Sequence, residues 1–132
     1  MPKTRIYSPG VAEPPPGRWS NAIQAGDFLF ISGQVSRSED GKTIEGKDEY
    51  EQSRTIFTRI VRLVEAAGGD AADVVKVTIY VVDIRKNTEV WRARQEFFTG
   101  DFPASTLVQV AALATPDILV EIEAVAHIPA RR

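Results

Sequence analysis

The chain has 132 residues and a formal net charge of −2, with a sequence pI of about 5.4. Since it contains no cysteine, disulfides and thiolate metal sites are excluded, and a cytoplasmic protein is expected. No basic run suits a nucleic-acid backbone, and no apolar run reaches the roughly 18 residues of a membrane span. The length suits one domain over residues 1–132, with Arg131 and Arg132 as a solvated tail.

The first third of the chain predicts strands separated by a proline-rich connector. Residues 4–8 predict a short strand. Residues 14–17, three prolines and a glycine, exclude a helix or central strand because three N–H donors are missing. This connector is interpreted as an ordered loop, either a polyproline spacer or the lip of a cleft. Gly26-Asp27 then marks a hairpin turn, and the apolar run 28–31 should be covered on both faces.

The middle of the chain predicts two helices with a strand between them. Asp48 should cap the first helix, which runs to about residue 67 with apolar side chains at i, i+3, i+4 and i+7. A glycine pair ends this helix. Residues 74–82 are rich in β-branched side chains and predict a buried strand. Asn87 should cap the second helix, over residues 88–99.

The last third predicts two further strands, over residues 105–113 and 118–127. The complete order is therefore β, β-hairpin, α, β, α, β, β. It predicts an α+β fold, with a mixed sheet and two helices packed on one face. The other face of the sheet is too apolar to remain in water. Further copies of the chain are expected to cover it.

Seven segments occur in a specific order along nearly the whole chain. They are SNAIQ (20–24), FISGQ (30–34), EAAGG (65–69), DVVKVT (73–78), EFF (96–98), FPAST (102–106) and VEIEAVA (120–126). Each segment is weak by itself, but the ordered set resembles the RidA/YjgF family. The resemblance implies a chorismate-mutase-like subunit that assembles as a homotrimer, with clefts for a small-molecule metabolite between subunits. The best-known members hydrolyse enamines and imines to ammonia and a 2-oxo acid, without a metal or organic cofactor.

The chain also departs from the family pattern. The arginine that grips a substrate carboxylate in the family's deaminases is replaced by Ser105. Trp19 stands for a frequent tyrosine, and Trp91 for an asparagine on the second helix. Since a serine offers no charge and the two indoles add stacking surface to the site, a less polar ligand than the standard 2-imino acid is expected, aromatic or uncharged. A second hypothesis is a non-catalytic module that binds a small ligand or a protein partner.

Two positions that match the family carry the remaining site prediction. The resemblance gives Glu121 a general acid–base role. Glu123 should lie on the same strand face as Glu121, so the two form an alternative acid–base pair or surface ion pairs. The Ser32-Gly33 step either exposes backbone N–H groups to the ligand or forms a bulge that needs glycine.

Arg94 is anomalous because it falls within the predicted apolar arc of the second helix. A guanidinium at that position must be paired, reach outward along its stem, or meet a ligand anion. The first reading is a salt bridge between subunits, to Glu121, Glu123 or Asp101. The second is an outward-reaching stem at a subunit edge, and the third is a replacement for the missing arginine. The only histidine, His127, is expected on the surface.

Overall fold

The computed structural model describes residues 2–129, so the predicted tail of Arg131 and Arg132 lies outside the described part. The predicted order of the main elements is confirmed. The strands are β1 (Lys3–Ile6), β2 (Ala22–Ala25), β3 (Phe28–Gln34), β4 (Val74–Val81), β5 (Ala104–Gln109) and β6 (Val120–His127). The helices are α1 (Glu49–Ala66) and α2 (Asn87–Arg94).

The six strands form one mixed sheet in the order β1-β2-β3-β6-β4-β5. The β4–β5 pair, which α2 connects, is parallel, and the other pairs are antiparallel. Helix α1 packs on β3 and β6 and also contacts α2. Alternate residues of β6 are accordingly buried beneath the helices, beginning with Val120 and Ile122. The predicted mixed sheet with two helices on one face is therefore confirmed.

The predicted ends of α1 are also confirmed. The carboxylate of Asp48 accepts a hydrogen bond from the backbone N–H of Glu51 at 2.8 Å, which satisfies a donor that the first helical turn leaves unpaired. Gly68 has a φ of +94°, a conformation that side chains with a Cβ disfavour. The helix between them buries a continuous apolar stripe against the sheet.

Helix α2 is shorter than predicted. It ends at Arg94, and Asn87 is its first residue rather than a cap; Lys86 precedes it without a side-chain capping bond. After Arg94 the chain turns so that the rings of Phe97 and Phe98 pack on Phe57, each at 5.6 Å between centroids. These contacts hold the segment after α2 against α1, and the regular helix therefore ends before the predicted residue 99.

The two faces of the sheet differ in exposure. On β3, Leu29 and Ile31 are buried beneath α1, whereas Phe28 and Phe30 are 43% and 49% exposed. The sequence predicts that both faces of this strand are covered. Within a single chain, α1 covers one face and the other face remains exposed. No helix among residues 2–129 is long and apolar enough to cross a membrane.

Candidate functional site

Four of the predicted site residues line a single cavity of about 760 Å³: Trp19, Ser32, Gly33 and Glu121. Prolines 14–16 line it as well, which favours the cleft-lip interpretation of the connector. Trp19 is 54% exposed, so its indole presents a stacking face to a ligand. Ser32 and Gly33 lie on β3 and Glu121 lies on β6. These strands are hydrogen-bonded neighbours, so the three residues lie close together.

Gly33 lies directly against the carboxyl group of Glu121. A Cβ added at position 33 would overlap Oε2 of Glu121 and lie 2.9 Å from its Cδ. The β3–β6 register also shifts between Ile31 and Gln34, so the predicted bulge is present. Glycine allows this close approach, and a larger residue at position 33 would displace the Glu121 carboxylate from its place.

Glu121 is half-buried and its surroundings disfavour ionisation. Burial raises the pKa of the Glu121 carboxyl, and the nearby Glu123 carboxylate raises it further. The two glutamates share one strand face, as predicted, because burial alternates along β6. Glu123 is exposed and accepts a hydrogen bond from the Tyr80 hydroxyl at 3.1 Å. A carboxyl group with a raised pKa in a cavity is suited to proton transfer.

Ser32 is held by the backbone of the preceding loop. Its hydroxyl donates to the Ser20 carbonyl at 2.5 Å, and its backbone N–H donates to the Asn21 carbonyl at 2.9 Å. The Ser32 amide is therefore engaged and does not serve as an oxyanion donor. Its role in the cavity is to fix the bulge that brings Gly33 against Glu121.

The other predicted residues form a second group at the β5 edge. The Arg94 guanidinium, on the last residue of α2, donates from Nη1 to Ser105 Oγ at 2.9 Å. Burial lowers the pKa of Arg94, and its Nε is buried without a partner among the described residues. No carboxylate of residues 2–129 forms a salt bridge with it. The end of α2 thus brings a guanidinium beside Ser105.

Trp91 precedes Arg94 on α2 and is 40% exposed. Trp91 therefore does not belong to the buried side of the helix. Val90 and Ala93 form the buried face of this short helix instead. The Trp91 indole is exposed on the outer side of α2.

The two groups do not meet within one chain. Ser105 pairs with Val77, which is buried on the helix side of β4. Glu121 pairs with Tyr80, which points to the opposite face. Trp91, Arg94 and Ser105 accordingly do not line the Glu121 cavity.

Sequence reasoning missed Arg59, which lines the same cavity and is only 6% exposed. Its Nε donates to Gln34 Oε1 at 3.0 Å. The signal was present in the sequence: Ile56, Arg59 and Leu63 follow helical spacing on the apolar stripe of α1. Arg59 is therefore an arginine within the apolar stripe of a helix, which is the same anomaly that drew attention to Arg94. His127 is exposed as predicted, and its ring contacts that of Phe28 in a tilted arrangement, with 5.1 Å between centroids.

Comparison with known proteins agrees with this fold. The family sequence profile described as Endoribonuclease L-PSP matches residues 10–128. A RutC family protein of Pyrococcus horikoshii is 38% identical over 117 residues, 88% of this chain and 91% of the relative. A protein of Dermatophagoides farinae named 2-iminobutanoate/2-iminopropanoate deaminase is 35% identical over 128 residues, 95% of this chain and 97% of its own.

Solved structures give the same result. RidA from an Antarctic Psychrobacter superposes with a TM-score of 0.86 at 28% identity, covering 95% of this chain and 99% of that one. E. coli TdcF with bound serine superposes with a TM-score of 0.85 at 26% identity, covering 94% and 98%. The fold is thus that of small α+β proteins of the Rid type. The chain belongs to the RidA/YjgF family.

Proposed function

We propose that the protein is a homotrimer that hydrolyses an enamine or imine in clefts between subunits, without a cofactor. The Glu121 cavity of one subunit would face the β5 edge of its neighbour, which carries Trp91, Arg94 and Ser105. Two observations support this arrangement. One chain keeps the two groups apart, and its outer sheet face presents Phe28 and Phe30 to solvent, an apolar surface that association would bury.

In the proposed reaction water adds to a C=N carbon, and the carbinolamine collapses to a carbonyl compound and ammonia. Glu121 in its protonated form donates a proton to the imine nitrogen or the enamine carbon. The resulting carboxylate accepts a proton from the attacking water, and the carboxylic acid so formed protonates the amine. As ammonia leaves, the carboxylate takes the proton of the carbinolamine hydroxyl, which forms the carbonyl and restores protonated Glu121. The raised pKa of Glu121 is the observation that carries this role, because it keeps a proton available nearer to neutral pH.

Arg94 is proposed to supply the positive charge that Ser105 lacks. Its position on α2 rather than β5 displaces the anion-binding group, so the substrate should differ in shape from the standard small 2-imino acid. The unpaired Nε of Arg94 supports this, since a buried donor without a partner is costly unless a ligand satisfies it.

Arg94→Gln should raise KM for a carboxylate-bearing imine by about 30-fold, which corresponds to ~2 kcal/mol, with a smaller effect on kcat. Ser105→Arg in the Arg94→Gln protein should recover part of this loss. Arg92→Gln is the matched control, because Arg92 lies on the same helix and pairs with Glu89 on the surface. An unchanged KM in Arg94→Gln would contradict the proposal that Arg94 binds the substrate.

Gly33→Ala should lower kcat by about 100-fold, since the new methyl group displaces the Glu121 carboxylate by about an ångström. Steady-state kinetics measures this effect, and circular dichroism checks that the fold is kept. The control is Gly26→Ala, because nothing lies within 4 Å of a Cβ at position 26 although its φ is +61°. Equal activity of both variants would contradict the placement of Glu121.

The function is tested by generating 2-iminobutanoate from threonine with a dehydratase in the presence of semicarbazide. An active protein converts the imine before trapping, so it slows semicarbazone formation. Because the standard imino acid is expected to be a poor substrate, imines from aromatic and acidic amino acids are tested beside it. If semicarbazone formation is not slowed with any of these imines and a metabolite binds saturably, the binding-module hypothesis is favoured, which the exposed Trp19 and the missing β5 arginine support.

A further inference from the structure

The buried Arg59 on α1 has no carboxylate partner within the described part of the chain. Its Nε donates to Gln34 Oε1 at 3.0 Å and its Nη1 to the Arg37 carbonyl at 3.2 Å. Among residues 2–129, no carboxylate oxygen lies within salt-bridge distance of its guanidinium. Nη2 forms no hydrogen bond with the described residues. Both bonded acceptors are neutral, so the positive charge of Arg59 is not compensated locally.

This charge persists at neutral pH. Burial is the main effect that lowers the pKa of Arg59 to about 10; Arg37 and Arg62 lower it further, and Glu45 opposes them weakly. At pH 7 the protonated form still exceeds the neutral form by about a thousandfold. A buried cation without a counter-ion is costly to the fold. An anion supplied from outside the chain would remove that cost.

The charges around the cavity leave Arg59 and Arg37 as its available cations. Both arginines line the Glu121 cavity. Of the other carboxylates there, Glu13 is paired with Arg5 at 2.6 Å. Asp40 accepts hydrogen bonds from two neutral donors, the Ser38 hydroxyl at 2.6 Å and the backbone N–H of Lys42 at 2.9 Å. It keeps its negative charge, but it is exposed and forms no salt bridge with Arg59 or Arg37 among residues 2–129.

A smaller cavity of about 480 Å³ is also lined by Arg59 and Arg37, together with Arg62 and Glu39. Arg62 is already engaged there. Its Nη1 pairs with Glu39 at 3.0 Å and donates to the Gly10 carbonyl at 3.1 Å. Arg62 therefore differs from Arg59 in burial, pairing and access to the Glu121 cavity, although both lie on α1.

We propose that Arg59, with Arg37 beside it, binds an anionic group of the ligand inside the Glu121 cavity. A carboxylate suits this position, because Nη2 of Arg59 offers a free donor and Arg37 adds a second positive charge. This site is separate from the Arg94 edge. Combined with the proposed imine hydrolysis, on which this step rests, it assigns the substrate to imines that carry a second carboxylate distant from the C=N group.

The test uses glutarate as a dicarboxylate probe and butanoate as a monocarboxylate probe, both measured by calorimetry on the intact protein. Wild-type protein should bind glutarate at least tenfold more tightly than butanoate. Arg59→Gln should weaken glutarate binding by at least tenfold and leave butanoate binding unchanged. Arg62→Gln, three residues along the same helix, should change neither. Arg59→Lys, which keeps the charge but not the fork, should give an intermediate value.

Arg37→Gln provides a second variant, because the substitution keeps the backbone carbonyl that accepts a hydrogen bond from Arg59. This variant should also weaken glutarate binding, and it serves as the test if Arg59→Gln fails to fold. Equal binding of the two probes by wild type, or equal losses in the Arg59 and Arg62 variants, would overturn the inference. Binding needs no turnover, so the two proposals are separable. If glutarate binds through Arg59 but no imine is hydrolysed, the anion site is supported and the proposed reaction is contradicted. If imines are hydrolysed but glutarate does not bind, the reaction is supported and the anion site is contradicted.

Discussion

Glu121→Gln should lower kcat for imine hydrolysis by about 10²–10⁴-fold, the range expected when a positioned acid–base group is lost. The amide keeps the size of the side chain against Gly33 but neither donates nor accepts the transferred proton. Steady-state kinetics with a trapped-imine assay measures the loss. Glu123→Gln is the matched control, because Glu123 lies on the same strand face but is exposed and bonded to Tyr80. Similar losses in both variants would contradict the assignment.

The same substitution has a stability consequence of known sign. Folding raises the pKa of Glu121 above its ordinary value of 4.5, so the folded state binds this proton more tightly than the unfolded state. The stabilisation that comes from this proton is fully present below pH 4.5. It is lost as the pH rises through the raised pKa of Glu121. Glu121→Gln should therefore be more stable than wild type to urea at pH 7. This advantage should disappear below about pH 4, where Glu121 is protonated in both states.

Phe30→Asp should convert the protein to monomers and reduce imine hydrolysis by about 100-fold or more, since the proposed cleft needs residues of two chains. The 49% exposed ring of Phe30 lies on the bare sheet face, and a carboxylate there would be desolvated on association. Analytical ultracentrifugation gives the mass and the trapped-imine assay gives the rate.

The control is Ile84→Asp, which adds the same charge at a 40% exposed apolar side chain outside the sheet strands. It should keep both the assembly and the activity. A wild-type protein that sediments as a monomer would remove the inter-subunit cleft. A monomeric but active Phe30→Asp protein would show that one chain is sufficient for the reaction.

Periodicity and local chemistry were sufficient for most of the fold. The i, i+3, i+4 pattern and the Asp48 cap predict α1 because these effects act within a few residues. The end of α2 could not be predicted in this way. It depends on the packing of Phe97 and Phe98 on Phe57 of the other helix, a contact that no local pattern contains.

The sequence by itself determined the family, the order of strands and helices, and the strand face that Glu121 and Glu123 share. Each of these is a matter of residue identity or short-range spacing. Only the tertiary structure decided that Arg94 reaches Ser105, that Gly33 lies against Glu121, and that the buried Arg59 faces the same cavity without a carboxylate partner among the described residues. Such pairings join elements far apart in the chain, and they follow from sheet register and helix packing rather than from any local pattern.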